Sequence, residues 1–129
     1  MPKTKKREIG DIGEAEAVQF LEKNGYDIVA KNYQMRGGEL DIVAWHKKPR
    51  FGDTLCFIEV KTRDRNDGSA ERATQEGEKL NRIKNAAKYY CLNNNVAMET
   101  TPIQFEQVSI YNDSDISDPI IRHFVIPID

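Results

Sequence analysis

The spacing of apolar and polar residues predicts a helix near the start of the chain, from about residue 12 to residue 24. Its inward side chains, which lie three and four residues apart, are Ala17, Val18 and Leu21. Gly25 follows as the left-handed residue that ends many helices. Asp11 and Glu14 stand three residues apart at its start, in the pattern of a capping box.

Five further segments are rich in β-branched and aromatic residues, which predicts strands. They lie at about residues 26–33, 39–45, 54–62, 103–111 and 120–126. A turn at Arg36, Gly37 and Gly38 makes the first two a hairpin. A second helix is expected at about 78–92. The order α-β-β-β-α-β-β predicts an α/β fold, a mixed sheet flanked by helices, in a single domain over residues 1–129.

The termini and the cysteines indicate the setting of this domain. The sequence begins with a basic, polar stretch and has no long apolar run, so we expect neither a secretory signal nor a transmembrane span, and a cytoplasmic location. We expect a basic tail at residues 1–8, a mobile loop at 64–77 and an acidic segment at 112–129. Cys56 and Cys91 lack the spacing of a metal or redox motif and are expected to be buried thiols.

The distribution of charge leaves a polyanionic partner open. The net charge is −2, and residues 96–129 carry one base, Arg122, against six acids. Bases gather in the rest of the chain, at residues 3–7, 47–50 and 63–65. Such runs are often solvated faces, but they also suit contacts with the phosphates of nucleic acid.

Two of the predicted strands combine charged and apolar residues on one face. Because side chains alternate along a strand, Glu39 and Asp41 are expected to point one way and Leu40 the other. In the next strand Glu59 and Lys61 are side by side for the same reason. Converging carboxylates in a partly desolvated place repel one another and attract a divalent cation such as Mg²⁺. Ordinary cross-strand ion pairs on a solvated sheet would leave the same pattern, so both interpretations stay open.

Glu14 has two interpretations as well. It is in line with the inward face of the first helix, where it could join the acid cluster, or it belongs to a capping box that satisfies the helix start. His46 and His123 are far apart in the sequence, and each is expected to be a structural or surface histidine rather than a zinc ligand.

Three short segments resemble the YraN family of small bacterial proteins. They are Gly13-Glu14, Gly38-Glu39-Leu40-Asp41 and the stretch from Phe57 to Arg63, within a likeness that covers residues 8–111. That family in turn resembles the PD-(D/E)xK nucleases, near the archaeal Holliday-junction resolvases. The resemblance therefore implies a restriction-endonuclease-like fold.

The same resemblance implies a metal-dependent endonuclease that acts on DNA, in branched or structured form. Asp41 and Glu59 would bind Mg²⁺ or Mn²⁺. Glu14 and Glu39 would complete the metal shell. Lys61 would orient the attacking water and the phosphate. The bases expected to contact DNA are Arg63, Arg65, Lys79 and Arg82.

The resemblance has a departure and leaves alternatives. Where the family pattern has Arg-Phe-Asp in the penultimate strand, this chain has Gln104, Phe105 and Glu106. Resolvase relatives act as two-fold dimers, so a homodimer is one expectation. A nuclease-fold module without catalysis that binds nucleic acid or a protein partner would also fit, as would an interaction domain whose charges are surface pairs.

Overall fold

The computed structural model describes residues 5–64, 67–70, 77–112 and 118–127, with helical side chains described from residues 10 and 79 onward. The helices and strands are α1 (Lys5–Lys23), β1 (Asp27–Met35), β2 (Gly38–Lys48), β3 (Gly52–Arg63), α2 (Gly77–Asn93), β4 (Ile103–Tyr111) and β5 (Ile120–Val125). This order is the predicted α-β-β-β-α-β-β arrangement. Neither of these two helices is long and apolar enough to cross a membrane.

The five strands form one mixed sheet in the order β1-β2-β3-β4-β5. Neighbours pair antiparallel except β3 and β4, which are parallel. A parallel pair needs a crossover between its strands, and here that connection contains α2. α1 packs on one face of the sheet and α2 packs on the other. The sheet is therefore covered on both sides, as the mixed α/β prediction requires.

Alternation along β3 divides the core into two clusters. Cys56 and Ile58 pack toward α1 with Leu21, whereas Phe57 packs toward α2 with Tyr90. All five side chains are buried, and burial of each large one stabilises the fold by roughly 1.5–3 kcal/mol. Over this stretch β3 is apolar on both faces because both faces are covered.

The first helix begins earlier than the sequence predicts. α1 starts at Lys5, inside the expected basic tail, rather than near residue 12. Asp11 and Glu14 consequently lie within the helix, and the capping-box interpretation of Glu14 is wrong. The extra turns carry no apolar repeat and include Gly10, a poor helix former, so the pattern gives no sign of them.

The hairpin between β2 and β3 also extends further than predicted. Lys48 pairs with Gly52, so most of the polar stretch at 46–53 is strand. His46 stacks on Tyr26 with ring centroids 3.9 Å apart, and its Nε2 lies 3.0 Å from the carbonyl oxygen of Asn24. These contacts of His46 and the pairing of the two strands explain why part of the polar stretch forms strand.

A buried acid on β4 connects several elements. Glu106 is fully buried, and its Oε2 lies 3.0 Å from Lys48 Nζ. Its Oε1 accepts a hydrogen bond of 2.6 Å from the Tyr26 hydroxyl group and also bonds to His123. Burial alone would raise the pKa of Glu106, but these hydrogen bonds, with one from Cys56, lower it to about 2. Lys48 is thus part of the core rather than of a basic patch, and both histidines are structural, as predicted.

Part of the segment predicted to be a mobile loop is anchored to the sheet. Ala70 is fully buried, and its carbonyl accepts a hydrogen bond from the Gln107 side chain of β4 at 2.9 Å. Residues 65, 66 and 71–76 lie outside the described part of the chain.

α1 lies directly against β3 at a glycine. A Cβ atom added to Gly13 would clash with Thr62 Oγ1 and would come within 3.3 Å of Thr62 Cβ. By contrast, a Cβ atom at Gly10 would meet nothing within 4 Å. The absent side chain of Gly13 therefore sets the distance between helix and strand, and with it the place of the next residue, Glu14.

Gly13→Ala should lower the free energy of unfolding by about 1–3 kcal/mol, because the added methyl group forces α1 away from Thr62. Adding Thr62→Ala to this variant removes the clashing oxygen and should restore part of the loss. Urea denaturation of the single and double variants measures both effects. Gly10→Ala is the matched control and should be neutral or stabilising. Equal stability of the two alanine variants would contradict the close contact.

Candidate active site

One cleft collects six of the charged residues that the sequence singled out. It has a volume of about 660 Å³ and lies between the β1–β2 turn and the first half of α2. The charged side chains that line it are Glu39, Asp41, Glu59, Lys61, Lys79 and Arg82. The acids and Lys61 come from the strands, and the other two bases come from the helix.

Asp41 occupies the point where β2 and β3 stop pairing. The β2–β3 pairing ends at Ile42 and Ile58. Beyond it, the backbone N–H of Val60 donates a hydrogen bond of 2.8 Å to Asp41 Oδ2. Had the register continued, Val60 would face Leu40. The Asp41 carboxylate therefore accepts a hydrogen bond from the β3 backbone just beyond the end of the β2–β3 pairing.

The regular alternation predicted for β2 is interrupted at the same point. Leu40 packs in the α2 cluster, whereas Ile42 packs in the α1 cluster. Two residues that are two apart should share a face of a regular strand, so the predicted orientation of Leu40 is wrong. Glu39 and Asp41 nevertheless line the same cleft.

The position of Asp41 makes its ionisation unfavourable. Burial and the charge of Glu59 raise its pKa to about 7, although the hydrogen bond from Val60 acts in the opposite direction. Glu14 and Glu39 raise the pKa further through their charges. Near neutral pH, a small change in the surroundings of this carboxyl group can alter its protonation.

Glu59 and Lys61 form an ion pair on the cleft wall. Their closest atoms, Glu59 Oε1 and Lys61 Nζ, are 2.7 Å apart, and each side chain is 21% exposed. They are two residues apart on β3 and share a face, as the alternation predicts. The pair engages one of the two carboxylate oxygens of Glu59.

Glu14 lies in a neighbouring cavity on the α1 side. This cavity of about 520 Å³ is lined by Asp11, Lys31 and Asn32 among others. Burial raises the pKa of Glu14, a hydrogen bond from the Asn32 side chain lowers it, and the charge of Glu39 raises it. Glu14 is therefore close enough to act on the acids of the cleft through its charge, although it does not line the cleft.

The cleft contains a suitable donor set for a hard divalent ion. Among the described residues, no three His, Cys, Asp or Glu side chains form a ready metal-binding group, so the predicted four-acid shell is not assembled. Mg²⁺ does not require one, since it commonly binds one or two carboxylates together with water and substrate phosphate. Asp41 and Glu59 each adjoin the last β2–β3 pair, Ile42 and Ile58, and line the same cleft, so they could supply those carboxylates. A divalent ion would relieve their mutual repulsion.

Two of the four predicted DNA-binding residues line the cleft. Lys79 and Arg82 project from α2 and line the cleft opposite the acids. Arg63 is not among the lining residues, and its guanidinium donates to the carbonyl of Thr62 at 2.9 Å. Arg65 lies outside the described residues.

Asn32 belongs to this region although the sequence pattern does not single it out. Its φ is 51°, which is the left-handed region, in the middle of β1. The pairs Lys31–Ile42 and Tyr33–Leu40 flank it, which puts Asn32 opposite Asp41. Asparagine adopts this conformation more readily than most residues, and that is the one signal the sequence carries.

Asp41→Asn should stabilise the fold increasingly as pH rises. The pKa of Asp41 is about 7 in the folded protein and near 3.8 when unfolded, so between these values the folded state binds more protons and wild-type stability falls with rising pH. Asparagine keeps an acceptor for Val60 and has no proton to lose. The stability difference in favour of the variant should grow by about 2 kcal/mol between pH 5 and pH 8 in urea denaturation with chelator. A difference that does not change with pH would contradict this account.

Comparison with known proteins identifies the family. The model of the Uncharacterised protein family UPF0102 matches residues 13–110, from the glycine of α1 that contacts β3 to the end of β4. A UPF0102 protein of Koribacter versatilis is 39% identical over 106 residues, which are 81% of this chain and 68% of the relative.

Two further relatives agree with this match. A UPF0102 protein of Dictyoglomus turgidum is 38% identical over 104 residues, covering 81% of this chain and 82% of the relative. One of Clostridioides difficile is 34% identical over 105 residues, covering 81% and 86%. The chain belongs to the UPF0102 family, the YraN-like family that its motifs predict.

Proposed function

We propose that this protein is a Mg²⁺- or Mn²⁺-dependent endonuclease that hydrolyses phosphodiester bonds in branched or structured DNA. The observation that carries the proposal is the cleft itself. It combines Asp41, Glu59 and Lys61 on the strands with Lys79 and Arg82 on the helix. Acids for a cation and bases for phosphates are the two requirements of a metal-dependent nuclease.

The chain's own residues have distinct parts in the proposed reaction. Asp41 and Glu59 would hold the divalent ion, which when bound stabilises charge on the phosphate and promotes ionisation of a water. Lys61 is fixed by its ion pair with Glu59, which restricts the ammonium group to the cleft wall. From there it can donate hydrogen bonds to the attacking water and to a phosphate oxygen.

Hydrolysis requires no further reactant besides water. The water oxygen forms a bond to phosphorus while the bond to one sugar oxygen breaks on the opposite side, in line with the attack. The water loses a proton to solvent, and the departing sugar oxygen takes one up. The products are a phosphate monoester end and a free hydroxyl end.

The bases on α2 favour recognition of the DNA backbone. Lys79 and Arg82 line the side of the cleft opposite the acids, where they can contact phosphates flanking the bond that is cut. Phosphate contacts carry no sequence information. We therefore propose that the shape of the DNA, rather than its sequence, selects the substrate. We also propose that the protein acts in the cytoplasm and, as its resemblance to resolvases suggests, as a homodimer.

Cleavage of a synthetic four-way junction, a flap and a linear duplex in Mg²⁺ or Mn²⁺ tests the proposal. Asp41→Asn, Glu59→Gln and Lys61→Gln should each reduce the single-turnover cleavage rate by roughly 100-fold or more, because each removes a group that acts on the reacting phosphate. Chelation of the metal should abolish cleavage. Lys79→Gln combined with Arg82→Gln should mainly weaken binding and make the remaining affinity less dependent on salt concentration, because two phosphate contacts are lost.

The matched control for the acidic variants is Asp53→Asn. Asp53 is an exposed residue of β3, the strand that also carries Glu59, and it lines a different cavity. Removal of its charge should therefore leave cleavage unchanged. Undiminished cleavage by Asp41→Asn would exclude the proposed site. Circular dichroism of each variant separates loss of chemistry from loss of folding.

A second candidate function is a nuclease-fold module that binds nucleic acid or a protein partner without cutting. It is favoured by the lack of a ready three-residue metal-binding group in the described part of the chain. This module would bind structured DNA in a salt-dependent manner and leave it intact with or without metal. The cleavage screen distinguishes the two functions directly.

A further inference from the structure

The backbone of β1 has an unusual conformation beside the cleft. Asn32 has a φ of 51°, a backbone angle that residues other than glycine rarely adopt inside a strand. A residue in this region costs about 1–3 kcal/mol of strain and persists only where its surroundings hold it there, and such residues cluster at functional sites. Asn32 therefore needs an explanation beyond strand formation.

The position of this conformation coincides with that of Asp41. Asn32 lies between the pairs Lys31–Ile42 and Tyr33–Leu40, opposite Asp41 in the β1–β2 register. The interruption of β2 and the unusual conformation of β1 thus fall at the same level of the sheet.

The side chain of Asn32 connects this level to α1. Asn32 and Glu14 line the same cavity, and hydrogen bonding from the Asn32 side chain acts to lower the pKa of Glu14. Lys31, the preceding residue, lines the cavity too. Burial and the neighbouring acids raise the pKa of Glu14, and the Asn32 side chain and the charge of Lys31 are the two influences that favour its ionised form.

We propose that Asn32 is a positioning residue for Glu14, holding this carboxylate where its charge strengthens divalent-cation binding by Asp41 and Glu59. The inference rests on the proposed function, because it concerns the same metal site. Asn32 itself touches neither metal nor substrate. It acts through the orientation of Glu14, as residues behind a metal site commonly do.

A hydrogen bond that only ties α1 to β1 is the competing explanation. Such a tie would contribute to stability but would leave cation affinity unchanged. It would also not need to lie at the level of Asp41, where the backbone departs from regular strand geometry. Cation affinity therefore distinguishes the two explanations.

Titration calorimetry of Mn²⁺ into the whole protein, without DNA, tests the proposal. Asn32→Gly keeps the left-handed backbone accessible and removes only the side-chain donor. It should weaken Mn²⁺ binding about tenfold, as loss of supporting residues typically does. Glu14→Gln should weaken it similarly. The double variant should bind no worse than Glu14→Gln alone, because Asn32 has no carboxylate left to position.

Asn95→Gly provides the matched control. Asn95 has a φ of 57° after the second helix, away from the cleft, so the same substitution there should leave Mn²⁺ affinity unchanged. Thermal unfolding of every variant confirms that the titrated protein is folded.

The outcomes separate this inference from the function on which it rests. Wild-type affinity in Asn32→Gly, or independent effects of Asn32→Gly and Glu14→Gln, would overturn the positioning role and leave the metal site standing. A wild-type protein that binds no Mn²⁺, or whose binding survives Asp41→Ala, would overturn both.

Discussion

The hydrogen bond from the Val60 backbone to the Asp41 carboxylate marks the constraint on which the candidate site depends. It forms where β2 and β3 cease to pair, and it joins the carboxylate of one strand to the backbone of the other. Asp41 is thereby held near Glu59, and the hydrogen bond from Val60 favours its ionised form while burial and the charges of three acids oppose it. A divalent ion is the chemical species that would relieve this arrangement most directly.

Glu106 and Asp41 lie in the same sheet, but their surroundings shift their pKa values in opposite directions. Glu106 is fully buried, yet Lys48, Tyr26 and His123 surround it with donors, and its pKa is held at about 2. Asp41 is less buried, yet its pKa is raised to about 7. Glu106 contributes stability at neutral pH that is lost as pH falls through its folded pKa. Asp41 has the opposite effect, because the fold loses stability as pH rises from 3.8, its unfolded pKa, to about 7. Groups that oppose folding in this way are characteristic of functional sites.

Local patterns in the sequence predict most of the fold and the strand residues of the site. β4 has the predicted bounds, and the ion pair of Glu59 and Lys61 follows from alternation along β3. Strand periodicity is a property of neighbouring residues, which is why it can be read without the structure. The start of α1 could not be predicted in this way, since its first turns have no apolar repeat.

Features that depend on contacts between distant segments were not predictable. Glu106 reads as one acid of a negative C-terminal region, and only the fold brings Lys48 to it. The left-handed Asn32 reads as an ordinary strand residue until β1 is paired with β2. The inward face of the first helix and the family resemblance both predict that Glu14 joins the site, and the structure places it in an adjoining cavity rather than in the cleft.

Proton release during Mg²⁺ binding tests the central claim most directly. Calorimetric titrations at pH 7 in buffers with different ionisation enthalpies give the number of protons that leave the protein for each ion bound. If Mg²⁺ binds the Asp41 carboxylate, whose pKa is about 7, about half a proton should be released, and this release should vanish in Asp41→Asn. Mg²⁺ binding without proton release, or no binding at all, would contradict the assignment of Asp41 and Glu59 as the cation site.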